Sequence, residues 1–138
     1  LKCLKFQPEG FVGFVYRITL LVDVPLYSAG TIYIGKKIFQ FKKRTILSKK
    51  ARKGTRKRVQ TKQVDSQWLK YFGSSSELKR VVKEFGEDKF KREVLHLCKN
   101  KVEMSYLELS EQINNRVFHV PSFNGWISCR IYKKGLNL

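Results

Sequence analysis

Residues 11–22, FVGFVYRITLLV, decide the fold. β-branched and aromatic side chains occupy both alternating sets of positions, so neither face suits water and the stretch predicts a largely buried strand. Residues 31–34, TIYI, predict a second strand. The connection between them, residues 23–30 with Pro25 and Gly30, is too short for a helical crossover, so the two strands should pair as an antiparallel hairpin. Tyr16 and Tyr33 then stand one on each strand. If the register allows, both phenols point to one mouth of the sheet; the alternative is that each is a packing residue with a satisfied hydroxyl.

Two helices and a third strand follow. Ser74 with Glu77 fits a capping box, Leu78, Val81, Val82 and Phe85 recur at helical spacing, and Gly86 supplies the stop. Residues 90–98, FKREVLHLC, predict a strand. Asn100 with Glu103 repeats the cap signature before a second helix ending near Asn114 or Asn115. On that helix Val102, Tyr106, Leu109 and Ile113 form one stripe, while Met104 and Leu107 lie on the other side with Glu108 and Glu111 close by. A carboxylate is thereby carried toward partly buried surroundings, although the spacing equally suits two solvent-exposed helix formers. The order is strand, strand, helix, strand, helix, an α+β arrangement in one domain over residues 1–138, with a short C-terminal tail from about residue 131.

The chain carries 29 Lys+Arg against 11 Asp+Glu, a formal charge of +18, and the excess is local. Between Asp23 and Asp65 there is no acid, while 13 cations fall within the 27 positions from Lys36 to Lys62. They are Lys36, Lys37, Lys42, Lys43, Arg44, Lys49, Lys50, Arg52, Lys53, Arg56, Lys57, Arg58 and Lys62. Cations this dense repel one another unless a polyanion neutralises them, which points to nucleic acid. Few apolar residues follow Leu47, so residues 48–65 read as a mobile basic loop whose phosphate contacts give affinity without sequence information.

Composition removes other classes. With 42% hydrophobic residues and 13% aromatics, the chain has the apolar content of a folded domain rather than a basic disordered tail. The most apolar stretch, residues 11–24, is interrupted by Arg17 and Asp23, so no membrane span is expected. Residues 1–10 lack the layout of a secretory signal, and the chain opens at Leu1 without a methionine, which leaves room for residues upstream. Cys3, Cys98 and Cys129 are odd in number and widely spaced, which suits a reducing compartment such as the cytoplasm. His96 and His119 have no local nucleophile motif, and neither the histidines nor the cysteines show the paired spacing of a zinc site.

With those elements in place, the chain resembles a known family. Phe14-Val15-Tyr16, Tyr33-Ile34-Gly35, the basic stretch, Gly73-Ser74-Ser75-Ser76-Glu77-Leu78, Phe85-Gly86, Phe90 and a later helix with Glu108 resemble the GIY-YIG nuclease domain, in particular its compact phage-encoded, homing-type members. The likeness spans residues 13–130. It implies a three-stranded antiparallel sheet flanked by helices and hydrolysis of phosphodiesters in double-stranded DNA with one divalent metal, Mg2+ or Mn2+. It also implies Tyr16 and Tyr33 as the motif tyrosines, Gly35 for close backbone approach, Glu108 as the metal ligand and Asn124 as a late supporting residue. The family's arginine follows the second motif on a short helix; Arg44 is the nearest arginine, with Lys43 and Lys37 as competitors. Phe14 stands where the first motif usually has glycine, with Gly13 adjacent. The remaining basic residues, Lys36, Lys42, Lys49, Lys50, Arg52, Lys53, Arg56, Lys57 and Arg58, are expected to contact nucleic acid, with no membrane partner, and one protomer could suffice. The rival expectation is a non-catalytic basic protein, associated with ribosomes or packaging DNA, which the basic stretch alone would explain.

Overall fold

The computed structural model describes residues 4–52, 54, 56, 58–128, 130–131 and 133–136. The strand expected at 11–22 is β1, Gly13–Leu20. It lies in the middle of a three-stranded antiparallel sheet, between β2, Ile32–Ile38, and a last strand at Phe90–Cys98. That central position explains its composition. Phe14, Tyr16, Ile18 and Leu20 enter one core, with Trp68, Phe72, Leu78 and Val81, and Val15 enters a second, with Ile34, Cys98, Met104 and Val117. A helix therefore covers each face of the sheet.

The second strand runs four residues further than TIYI, because Gly35 to Ile38 continue the ladder opposite Tyr16 to Gly13. Ladder hydrogen bonds belong to the backbone, so Lys36 and Lys37 do not interrupt it. At Gly13 a Cβ would lie 2.6 Å from both the Lys37 carbonyl oxygen and Met104 Sδ, so glycine lets the second helix approach the sheet.

The basic segment is not the mobile loop expected over 48–65. Gln40–Ile46 form β3 and Val59–Asp65 form β4, paired antiparallel as a separate two-stranded ribbon, and only residues 47–58 connect them. The base of the ribbon is anchored by Phe39, fully buried with its ring 5.2 Å from Phe14 and 5.0 Å from Trp68. The Phe39 N–H donates to the Val12 carbonyl and its carbonyl accepts from the Ser66 N–H.

The first helix, α1, is Ser76–Phe85, and its cap differs by one residue from the sequence expectation. Ser75, not Ser74, is the N-cap, its Oγ accepting from Leu78 N–H at 3.3 Å. Ser74 is engaged elsewhere, and Glu77 accepts a hydrogen bond from the Tyr27 hydroxyl. Gly86 ends the helix with φ of 98°, a region open to glycine. The last strand, β5, is Phe90–Cys98, with a bulge at Leu95 opposite Val15 and Tyr16. The second helix, α2, is Lys101–Asn114, capped as expected by Asn100, whose Oδ1 accepts from Glu103 N–H at 2.8 Å. Beyond it, residues 121–124 run along the outer edge of β2, with Ile32 N–H donating to the Pro121 carbonyl and Phe123 N–H to the Ile32 carbonyl. Among the described residues no helix is long and apolar enough to cross a membrane.

Candidate active site

A cleft of about 640 Å³ follows β2, walled by Tyr33, Gly35 and Lys36, by the start of α1 from Ser74 to Glu77, by Glu108 and Gln112 of α2, and by Asn124. Three separate stretches of chain thus meet at one strand, which is where the sequence placed its motifs.

Register brings the tyrosines together. Tyr16 pairs with Gly35 and Ile18 with Tyr33, so both phenols lie on one face with ring centroids 6.1 Å apart. Gly35 is required by space, since a Cβ there would sit 2.6 Å from Tyr16 Oη and 2.9 Å from Tyr33 Cε1. Tyr16 is only 2% exposed. Burial, reinforced by Tyr33, Tyr71 and Glu108, holds its phenol well above the usual tyrosine range. Tyr33 reaches the cleft, where its hydroxyl shares a 2.9 Å hydrogen bond with Ser74 Oγ and accepts a longer one, 3.4 Å, from the Ser74 N–H. Gly73 turns the chain here with φ of 84°, and a Cβ on it would strike the Tyr33 ring at 2.7 Å.

Glu108 comes in from α2 with its side chain 17% exposed. One carboxylate oxygen accepts from Gln112 Nε2 at 3.3 Å. The other, Oε2, is buried and lies 3.4 Å from Lys36 Nζ, within ion-pair range but without a hydrogen-bond partner. Burial raises the Glu108 carboxyl above the ordinary glutamate value, and Lys36 and Gln112 offset part of that rise. Lys36 is held in place by a 2.7 Å bond from its Nζ to Ser105 Oγ. Gln112 itself is buried and also donates to the Ile34 carbonyl, at 3.2 Å, which ties the helix bearing Glu108 to β2.

Asn124 clamps the same residue from outside. Its Oδ1 accepts from Ile34 N–H at 2.9 Å and its Nδ2 donates to the Ile34 carbonyl at 2.8 Å, so the side-chain amide substitutes for a neighbouring strand. It therefore supports the cleft by fixing β2.

Arg44 does not join this group. It is exposed on β3 opposite Thr61, in a strand where the resemblance implied a short helix, and it is not among the residues lining the cleft. The cation at Glu108 is Lys36, expected from the sequence to contact nucleic acid. Lys37 points away from Lys36 to the face that bears Tyr16 and Tyr33, its Nζ 3.9 Å from the centre of the Tyr71 ring, which packs edge-on against Tyr16. Lys42 and Lys43 stand on the ribbon, and Lys49, Lys50, Arg52, Arg56 and Arg58 fall in its connection. Lys53 and Lys57 lie outside the described residues, as do Cys3 and Cys129. Glu111, the other carboxylate considered, pairs with His96 at 2.7 Å. Ser74, Gln112 and Tyr71 were not anticipated as site residues; the i, i+4 spacing of Glu108 and Gln112 was the one legible signal among them.

No curated protein and no solved structure matches this chain. A family model described as "Putative endonuclease segE, GIY-YIG domain" matches residues 2–127, nearly the whole length and every element that builds the cleft. Because that match spans nearly the whole chain, with Tyr33 and Glu108 of the cleft inside it, this chain belongs to the GIY-YIG endonuclease family.

Proposed function

We propose that the chain is a divalent-metal-dependent DNA endonuclease of homing type, phage-borne, which hydrolyses phosphodiesters of double-stranded DNA in the cleft along β2. The observation that carries this reading is Glu108 Oε2, a buried carboxylate oxygen with no hydrogen-bond partner, in the cleft that Tyr33 and Lys36 also line. Lys36 Nζ stands 3.4 Å from that oxygen without hydrogen-bond geometry, and a hard cation is a partner that a buried carboxylate oxygen suits. Glu108 would be the residue to hold a Mg2+ or Mn2+ ion in this cleft, an oxygen donor of the kind such hard cations take. When bound, such an ion supplies Lewis-acid polarisation of the phosphate and stabilises the leaving oxygen.

The remaining work belongs to side chains. Lys36 offers positive charge for the developing negative charge on the phosphate. Tyr33, at the cleft wall, orients the attacking water through its hydroxyl, which Ser74 holds in place. Tyr16, whose proton is held tightly by burial, serves as a hydrogen-bonding support for Tyr33. Asn124 and Gln112 keep β2 and α2 in register.

The test uses supercoiled plasmid with Mg2+, with Mn2+ and with chelator. Cleavage should require the metal, and Glu108→Gln should lose activity by orders of magnitude while retaining DNA affinity. Undiminished cleavage by that variant, or in chelator, would overturn the reading; gel retardation without any cleavage by the native chain would support the non-catalytic binding protein.

A further inference from the structure

The β3–β4 ribbon is solvent-exposed along its length and makes no substantial packing contact with another strand or helix. Every residue of β3 is exposed, and in β4 only Val59 and Val64 are half-buried. Paired residues of an antiparallel ribbon share a face. One face therefore carries Gln40 with Asp65 at its base, then Lys42 with Gln63, Arg44 with Thr61, and Ile46 with Val59, and the other carries Phe41 with Val64, Lys43 with Lys62, and Thr45 with Gln60.

Two features of this arrangement are unfavourable in the free protein. Lys43 and Lys62 are directly opposed like charges, and among the described residues no carboxylate pairs with either of them or with Lys42 or Arg44. Ile46 is 82% exposed near the tip of the ribbon. Both are relieved by one kind of ligand. A B-form major groove, about 12 Å wide, admits a two-stranded ribbon, and its walls are phosphates while its floor presents donors, acceptors and thymine methyls. Arginine matches guanine, glutamine matches adenine, threonine hydroxyls match either, and an aliphatic side chain suits the thymine methyl. Seven-residue strands are about 24 Å long, enough to follow the groove across several base pairs. A-form RNA has a major groove too deep and narrow for side-chain reading, which selects duplex DNA.

We propose that this ribbon lies in the major groove of duplex DNA and reads base edges with Arg44, Thr61, Gln63 and Ile46, while Lys43 and Lys62 engage the flanking phosphates. Arg44 is on this view a specificity residue. The proposal rests on the endonuclease reading only for its choice of DNA as ligand.

Binding by the full-length Glu108→Gln protein tests it separately from cleavage. Selection from a pool of random-sequence DNA duplexes should enrich a motif. Adding Arg44→Ala and Gln63→Ala should erase the motif at two or more positions, and lower affinity for the enriched duplex about tenfold or more while leaving a non-enriched duplex within a few-fold. Lys43→Ala with Lys62→Ala should weaken both duplexes alike and reduce the slope of log affinity against log salt by about 1 to 2, with the motif kept. Replacing guanine with 7-deazaguanine in the enriched duplex should reproduce the loss without any change to the protein. No enriched motif, a motif indifferent to Arg44 and Gln63, or equal competition by an RNA duplex of the same sequence would overturn the proposal. Cleavage by Glu108→Gln would instead overturn the catalytic assignment and leave this test intact.

Discussion

Glu108 is held in a state that disfavours its own charge, and the sign of that effect can be measured. Its carboxyl is raised in the folded protein, so between the ordinary glutamate value and the raised one the folded state binds more protons than the unfolded state. Stability therefore falls as pH rises through that window, and the penalty is fully present above it. Glu108→Gln should accordingly unfold at a higher temperature than the native chain at neutral pH, with the difference vanishing on acidification below the window; a gain that persists unchanged at low pH would contradict this. Gly35 offers a second test at the same scale. Gly35→Ala places a methyl 2.6 Å from Tyr16 Oη, and should cost about 1–3 kcal/mol in denaturant unfolding. Introducing Tyr16→Phe into that variant removes the nearest atom and should recover part of the loss, so the two substitutions should be non-additive. Glu108 was legible as a residue near apolar neighbours, but spacing could not separate a buried carboxylate from a solvated one. Its surroundings combine Gln112, one turn further along the same helix, with Lys36, which β2 brings from far upstream in the chain.

At the scale of elements, α1 divides the labour of two adjacent serines. Ser75 caps the helix, whereas Ser74 holds the Tyr33 hydroxyl. Ser75→Ala should destabilise the fold by about 1 kcal/mol, read by thermal or denaturant unfolding. Ser74→Ala should slow cleavage more than it lowers stability, because its partner faces the cleft; the reverse pattern would return the cap to Ser74. The capping-box spacing to Glu77 pointed to Ser74, but Glu77 accepts from Tyr27 instead, and the backbone makes Ser75 the cap. The ribbon was illegible for a different reason. A strand shows itself through apolar residues on alternate positions, and QFKKRTI and VQTKQVD are largely polar on both faces, so they resemble loop. Strand pairing there is supplied by the antiparallel register and by Phe39 anchoring the base.

Across the molecule, charge and stability are carried by different parts. Positions 41–64 hold eleven cations and no acid, yet their strands contribute little to either core. Replacing that segment with a short turn should leave the melting temperature of the remaining sheet and helices within a few degrees, while DNA affinity and its salt dependence fall steeply. A collapse of the fold on this replacement would show the ribbon to be structural.

The sequence by itself determined the buried strand, its antiparallel partner, both helices, the third strand and the concentration of charge, because these depend on local periodicity, capping chemistry and composition; the strand's central place in the sheet did not follow from it. It also carried the motif residues of the family. Tertiary structure alone decided that Tyr16 faces Gly35, that Lys36 rather than Arg44 stands beside Glu108, that Asn124 acts as a substitute strand, and that the basic segment is a paired ribbon. Each of these is a relation between residues far apart in the chain, set by register and burial, and neither quantity is a property of any local stretch.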